Sequence, residues 1–251
     1  MSDVLGLLLA WGASWLARRP PSHRYTYGLR RSSILAALVN SMFLLVAMGG
    51  IAWEAIRRFQ DLNEVSGATL IWVAGIGVVT NTATALLFLS GRKADLNIKG
   101  AFLHMAADAL VSLGVVLAGV SILLTGWLWF DPVISLIIVG VVLWSTWHLF
   151  QESIQMVLDA VPAHIELPAV EQFLCERSGV AQVHDLHVWA MSTTEVALTA
   201  HLVMPDGHPG DQVLADLCHQ LRDRFGIIHS TLQIEIDDSH ELRNYEKGCS
   251  V

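Results

Sequence analysis

Charge is what this chain is short of. Only 15% of its 251 residues are Asp, Glu, Lys or Arg, against roughly 25% in an ordinary soluble domain. With 53% hydrophobic residues and a mean hydropathy of +0.51, the composition excludes a simple soluble domain and reads as a multi-span membrane protein. Cysteine is scarce too. Cys175, Cys218 and Cys249 are odd in number, lie in the polar final third and lack CxxC spacing, so they read as reduced cytosolic thiols and not as a disulfide framework. No basic segment precedes the first apolar run, because Met1-Ser2-Asp3 opens straight into it, and no signal peptide is expected. There is no HExxH, no GxSxG, no P-loop and no GxGxxG between a strand and a helix. Protease, hydrolase and nucleotide-driven pump readings lose their usual support, and the chain is not expected to be an enzyme. The net charge is −8, with the acids gathered in the last third; an acidic domain without a basic stripe argues against a nucleic-acid partner.

What is present is a series of long apolar runs. A membrane domain is expected over residues 1–157, with spans near 4–17, 33–58, 67–90, 98–126 and 132–157. The first run, Val4 to Leu16, gives about 20 Å of helix against a roughly 30 Å hydrocarbon core. We therefore expect its helix to begin upstream of Met1, leaving the chain N-terminally short. In the second run Asn40 reads as interhelical glue, and in the third Thr80, Asn81, Thr82 and Thr84 read as close-packing positions. Arg18, Arg19, Arg24, Arg30 and Arg31 lie between the first two runs, and Arg92, Lys93 and Lys99 between the third and fourth. By the positive-inside rule those loops and the C-terminal third face the cytoplasm.

Ala101 to Trp127 is apolar for long enough to cross a bilayer, yet it carries His104 and Asp108. Four residues apart, they share one helix face. Each ionisable group at membrane depth costs about 2.5 to 3.5 kcal/mol, so the pair needs a partner. Two readings stay open: a pair hydrogen-bonded to itself and to a neighbouring helix, or two ligands of a divalent cation.

After Gln151 the composition becomes that of a soluble domain. Residues 158–240 are expected to form a small α+β domain of order αββαβ, with helices on one face of a three-stranded sheet, and 241–251 a tail. In the last strand, Ile228, Ser230, Leu232, Ile234 and Ile236 are expected to alternate inward, so that His229, Glu235 and Asp237 point to the other face. His201 is out of phase with Val196, Leu198 and Leu202, and Val183–Trp189 adds His184 and His187. Each histidine taken singly reads as a solvated strand residue, whereas the set reads as a site for zinc or a similar cation.

These stretches, together with RYTYGLRRSSILAALVN, NIKGAFLHMAADALVSLGVV, VHDLHVWAM, LTAHLV and LQIE, resemble the cation diffusion facilitator family of zinc-transporting membrane proteins, especially its bacterial zinc efflux members, over nearly the whole chain. The HxxxD core is the most specific match. The resemblance implies six transmembrane helices, a ferredoxin-like cytoplasmic domain and a homodimeric metal/proton antiporter, and the absence of targeting segments favours a bacterial inner membrane. It assigns Asp3, His104 and Asp108 to the transport site, and His184, His201, His229 and Glu235 to cytoplasmic metal positions. It also implies that the first family helix, and the ligand one turn before Asp3, would fall upstream of Met1. The histidine-rich loop of some members is absent, since Gly91 to Asn97 holds no histidine.

The expectation is thus a Zn2+ exporter whose ion displaces protons from His104 and the aspartates, because metal ligands must be deprotonated. One rival is a membrane protein that binds and senses zinc without transporting it. The other, an intramembrane metalloenzyme, would need a catalytic base that is not in evidence in the sequence.

Overall fold

The computed structural model describes residues 11–13, 15–59, 67–93, 95–126 and 129–236. These fall into two compact units, one ending at Ile154 and the other starting at Gln155.

The first unit is helical. Residues 11–13 and 15–17 are helical, followed by α1 (Ser32–Arg58), α2 (Gly67–Phe88), α3 (Leu96–Thr125) and α4 (Phe130–Val157). Among the described residues three stretches are long and apolar enough to cross a bilayer, Ser32–Arg58, Leu96–Thr125 and Pro132–Val157, while Ala74–Phe88 is a shorter apolar helix. The 30 residues of α3 correspond to about 45 Å of helix. Asp95 starts it: its carbonyl accepts from the Lys99 N–H at 2.9 Å, and its carboxylate accepts from the Asn97 N–H at 2.7 Å, as an N-cap does. Trp72, Leu87, Leu124 and Trp144 are each more than three-quarters exposed, which suits side chains that meet lipid.

α3 is the helix against which the others pack, and its glycines show why. A Cβ on Gly119 would lie 2.8 Å from Ile71 of α2, one on Gly114 would collide with Ile138 and Ile134 of α4, and one on Gly100 would meet Asn40 of α1 at 2.8 Å. Missing side chains let backbones approach, and in lipid such packing supplies much of the association energy. The α2 threonines behave otherwise than expected. Thr80 is exposed and donates back to the Ile76 carbonyl at 3.0 Å, and Thr84 to the Thr80 carbonyl at 2.8 Å. On α2 it is Gly77, facing Ser112 of α3, that makes the close approach. Met48, Ala107, Val139 and Val142 form a buried apolar cluster among α1, α3 and α4.

The second unit contains α5 (Leu167–Cys175), β1 (Gln182–Ala190), β2 (Val196–Val203), α6 (Asp211–Phe225) and β3 (Ile227–Glu235), the expected αββαβ order. The sheet order is β1-β2-β3, with β1 and β2 antiparallel and β2 and β3 parallel through the α6 crossover. Val170, Phe173 and Leu174 of α5 and Leu217 and Leu221 of α6 bury one sheet face, with Val183, Val188, Leu198, Ala200 and Leu202. Gly226, at φ 70°, closes α6, its N–H bonded to the Arg222 carbonyl at 2.9 Å; glycine takes that left-handed conformation without a Cβ penalty.

Two irregularities set the phase of the strands. In β3 the register passes from Val196↔Ile227 to Ala197↔His229, so Ile228 is an extra residue. Ile227 enters the core at 1% exposure while Ile228 stays out at 38%. The expected inward place of Ile228 is thereby corrected, since a bulge shifts the two-residue alternation by one. In β1 the register jumps from His184↔His201 to His187↔Thr199, and Asp185 in the gap has φ 50°. Asp tolerates the left-handed region better than most residues. Cys218 is a free, partly buried thiol, and Cys249 lies outside the described residues. Asp237 lies outside the described residues.

Candidate functional site

In the membrane unit, α3 brings His104 and Asp108 together on one face: His104 Nε2 lies 3.6 Å from Asp108 Oδ2, with the imidazole largely buried. His104 Nδ1 and Asp108 Oδ2 are shut away from solvent. Ligand atoms of a tetrahedral zinc with bonds near 2.0–2.1 Å sit about 3.3 Å apart, so the separation suits two ligands of one ion. Asp3, the third residue assigned to this site, lies outside the described residues. Toward the start of the same helix, Lys99 pairs with Glu152 of α4. A cation in the first turn of a helix faces the positive end of its dipole, and the carboxylate offsets it.

The second unit builds its site with one residue from each strand. His184 on β1 and His201 on β2 are direct cross-strand partners, with ring centroids 5.1 Å apart. Glu235, at the end of β3, reaches both: Oε2 is 2.9 Å from His184 Nε2 and Oε1 is 2.9 Å from His201 Nδ1. The ligand atoms of the three residues lie within 4.8 Å of one another. Two imidazoles and a carboxylate are a zinc-type donor set with one coordination position left over. Gln233 donates to Glu235 Oε1 at 2.8 Å and so holds the carboxylate in orientation. Burial pushes the Glu235 carboxyl up, but the His184 hydrogen bond, together with the charges of His184 and His201, outweighs it and holds the group below its ordinary value.

His229 is placed elsewhere. It pairs with Ala197, four positions along β2 from His201, and is exposed; at about 3.3 Å per residue that puts it roughly 13 Å from the triad. Asp185 was not singled out from the sequence. Its carboxylate lies 3.0 Å from His187 Nε2 and 3.5 Å from His201 Nε2, so His201 stands between two carboxylates. The signal was the Asp inside an otherwise β-forming run, a residue suited to the left-handed step of a bulge.

Comparison with known proteins covers both units. Residues 1–158 match the family model described as the cation efflux transmembrane domain, and residues 162–237 match the cation efflux protein cytoplasmic domain. Among curated proteins, the chain is 35% identical over 240 residues to the "Cadmium, cobalt and zinc/H(+)-K(+) antiporter" of Bacillus velezensis, covering 94% of this chain and 76% of that protein. It is 34% identical over 242 residues to the "Zinc transporter ZitB" of Escherichia coli K12, covering 96% and 77%. Among solved structures, the metal-bound C-terminal domain of the CzcD transporter from Cupriavidus metallidurans is 38% identical, spans 28% of this chain and 99% of that one, and has a TM-score of 0.27.

Proposed function

This chain belongs to the cation efflux family, the cation diffusion facilitators, and on that premise we propose that it exports Zn2+ from the cytoplasm in exchange for protons. The carrying observation is the His104–Asp108 pair, 3.6 Å apart on a helix long enough to span the bilayer. Asp3 is assigned as a further ligand. Zinc is favoured over Mg2+ or Ca2+ because an imidazole beside carboxylates is a borderline donor set, whereas the alkaline-earth ions prefer more oxygens. The names of the two relatives, a zinc transporter and a cadmium, cobalt and zinc/H(+)-K(+) antiporter, support a zinc-type divalent cargo, and the second name supports the coupling to protons. Ligands must be unprotonated to hold the metal, so a site open alternately to each side exchanges an outgoing ion for incoming protons.

The membrane is a bacterial inner membrane, with the 158–240 domain in the cytoplasm, as the arginine-rich loops require. The protein works as a homodimer, a reading supported by a cytoplasmic domain of the type in which the family model places dimerisation. A resident Zn2+ at His184, His201 and Glu235 supplies a metal crosslink among three strands and acts as a cytosolic sensor outside the permeation path. His229 is proposed as an additional cytoplasmic metal position.

Flux into proteoliposomes under a pH gradient is the test. The chain moves zinc, while His104→Ala and Asp108→Ala do not; flux surviving either change overturns the assignment. Zinc binding without any flux in the parent favours the sensing role over transport.

A further inference from the structure

Asn40 looked from the sequence like glue between helices. Glue forms a hydrogen bond to the neighbouring helix, but among the described residues the Asn40 side chain makes none. It is 9% exposed, and its amide nitrogen Nδ2 lies 2.8 Å from where a Gly100 Cβ would be, with Leu149 of α4 at 3.6 Å from the same point, so the carbonyl of the same amide is the end left to face elsewhere. Gly100, His104 and Asp108 are spaced four residues apart on α3 and follow one face. Asn40 therefore fills the gap left by the missing Gly100 side chain, one turn before His104 on the cytoplasmic side.

A second polar group flanks the same turn from the opposite helix. Thr146 of α4 is 0% exposed, and its hydroxyl has no hydrogen-bond partner among the described residues. It lies three residues from Leu149, on the same face of α4. α3 runs away from the cytoplasm and α4 toward it, so Thr146 stands one turn beyond Leu149 toward the level of His104. A fully buried hydroxyl with no partner is costly in an apolar surrounding, and Asn40, packed against Gly100, lies on the face of α3 that carries His104 and Asp108.

Resting on the transport reading above, we propose that Asn40 and Thr146 form a polar waypoint between the cytoplasm and His104, where a divalent cation exchanges water for the Asn40 carbonyl and the Thr146 hydroxyl before His104 and Asp108 take it. These are positioning residues for the cargo. They lower the barrier to the site without belonging to its ligand set, so they speed loading and release together.

The experiment is stopped-flow zinc loading and release on the full chain in nanodiscs, in a His184→Ala/His201→Ala background that silences the cytoplasmic triad. Asn40→Leu and the isosteric Thr146→Val each slow both rates by about tenfold or more, the scale of one polar contact to a charged group. The Kd stays within about twofold, because both directions change alike. Asn40→Asp, which keeps an oxygen donor, loads at the parental rate or faster. Unchanged rates in Thr146→Val and Asn40→Leu overturn the waypoint, as does a raised Kd with an unchanged loading rate. Should Asn40→Leu fail to fold, Thr146→Val decides alone, since it alters no volume. A parent chain with no zinc site that His104→Ala abolishes overturns the transport reading and the waypoint together, whereas a His104-dependent site with unaltered kinetics in the variants overturns only the waypoint.

Discussion

His184 Nε2 and Glu235 Oε2 stand 2.9 Å apart although 51 residues separate them in the chain and a whole strand separates them in the sheet. The carboxylate at the end of β3 spans β2 to reach β1, and His201 on the intervening strand meets its other oxygen at 2.9 Å. Removing one member should therefore dismantle the site. We expect His201→Ala or Glu235→Ala, in a His104→Ala background, to weaken zinc binding to the full chain by more than the roughly 10- to 100-fold typical of an outer-shell change. His229→Ala, roughly 13 Å away along the strand, should leave the triad's affinity unchanged. Zinc titration by calorimetry distinguishes the cases.

Acid should loosen the cytoplasmic unit even without metal. The Glu235 carboxyl is held below its ordinary value, so its contribution to stability is fully present above the unfolded-state pKa. The contribution is lost as pH falls through the lower folded pKa, where the native state must take up a proton. Thermal melts of wild-type and Glu235→Gln chains should therefore differ near neutral pH and converge once the pH falls below the lowered folded pKa. Curves that stay parallel down to the acid limit would show that the carboxylate is not coupled to folding.

Helix packing in the membrane unit gives a sharper contrast. A Cβ on Gly114 would overlap Ile138 and approach Ile134, whereas one on Gly75 would meet nothing within 4 Å. Gly114→Ala should cost about 1–3 kcal/mol through overpacking, and Gly75→Ala should be neutral or stabilising by up to about 1 kcal/mol through helix propensity. Unfolding in detergent, followed by melting temperature, checks the difference.

Lys99 and Glu152 tie the start of α3 to α4 and are about a quarter exposed. Lys99→Met leaves a half-buried carboxylate alone, and Glu152→Gln leaves a cation at the positive end of a helix. The double variant should be more stable than the sum of the two single losses, with a coupling of about 1 kcal/mol or more. A double-mutant cycle on melting temperature would return no coupling if the contact were incidental.

Much of this was legible in the chain. The apolar runs, the arginine-rich loops, the HxxxD pair on one helix face and the αββαβ order all depend on periodicity and composition, which are local properties. His184, His201 and Glu235 also stood out, as histidines and a carboxylate gathered on strands, His201 and Glu235 out of phase with the apolar positions, and as positions that the family resemblance assigned to metal. The exact phase of the strands was not legible: Ile228 looked inward by alternation and is exposed, since one extra residue at a bulge is invisible to a count by twos. Nor was the fate of Asn40, whose meaning depends on a glycine in another helix.

What the sequence by itself determined is which segments are helices in lipid, which form the small sheet, and that His104 and Asp108 share a face, because four residues of α-helix always bring side chains into line. What only the tertiary structure decided is which distant groups meet. Strand register brought together His184, His201 and Glu235 and left His229 apart, and close approach at Gly100 put Asn40 beside the face of α3 that carries His104 and Asp108. Those choices rest on packing between elements far apart in the chain, where a shift of one residue turns a side chain to the opposite face.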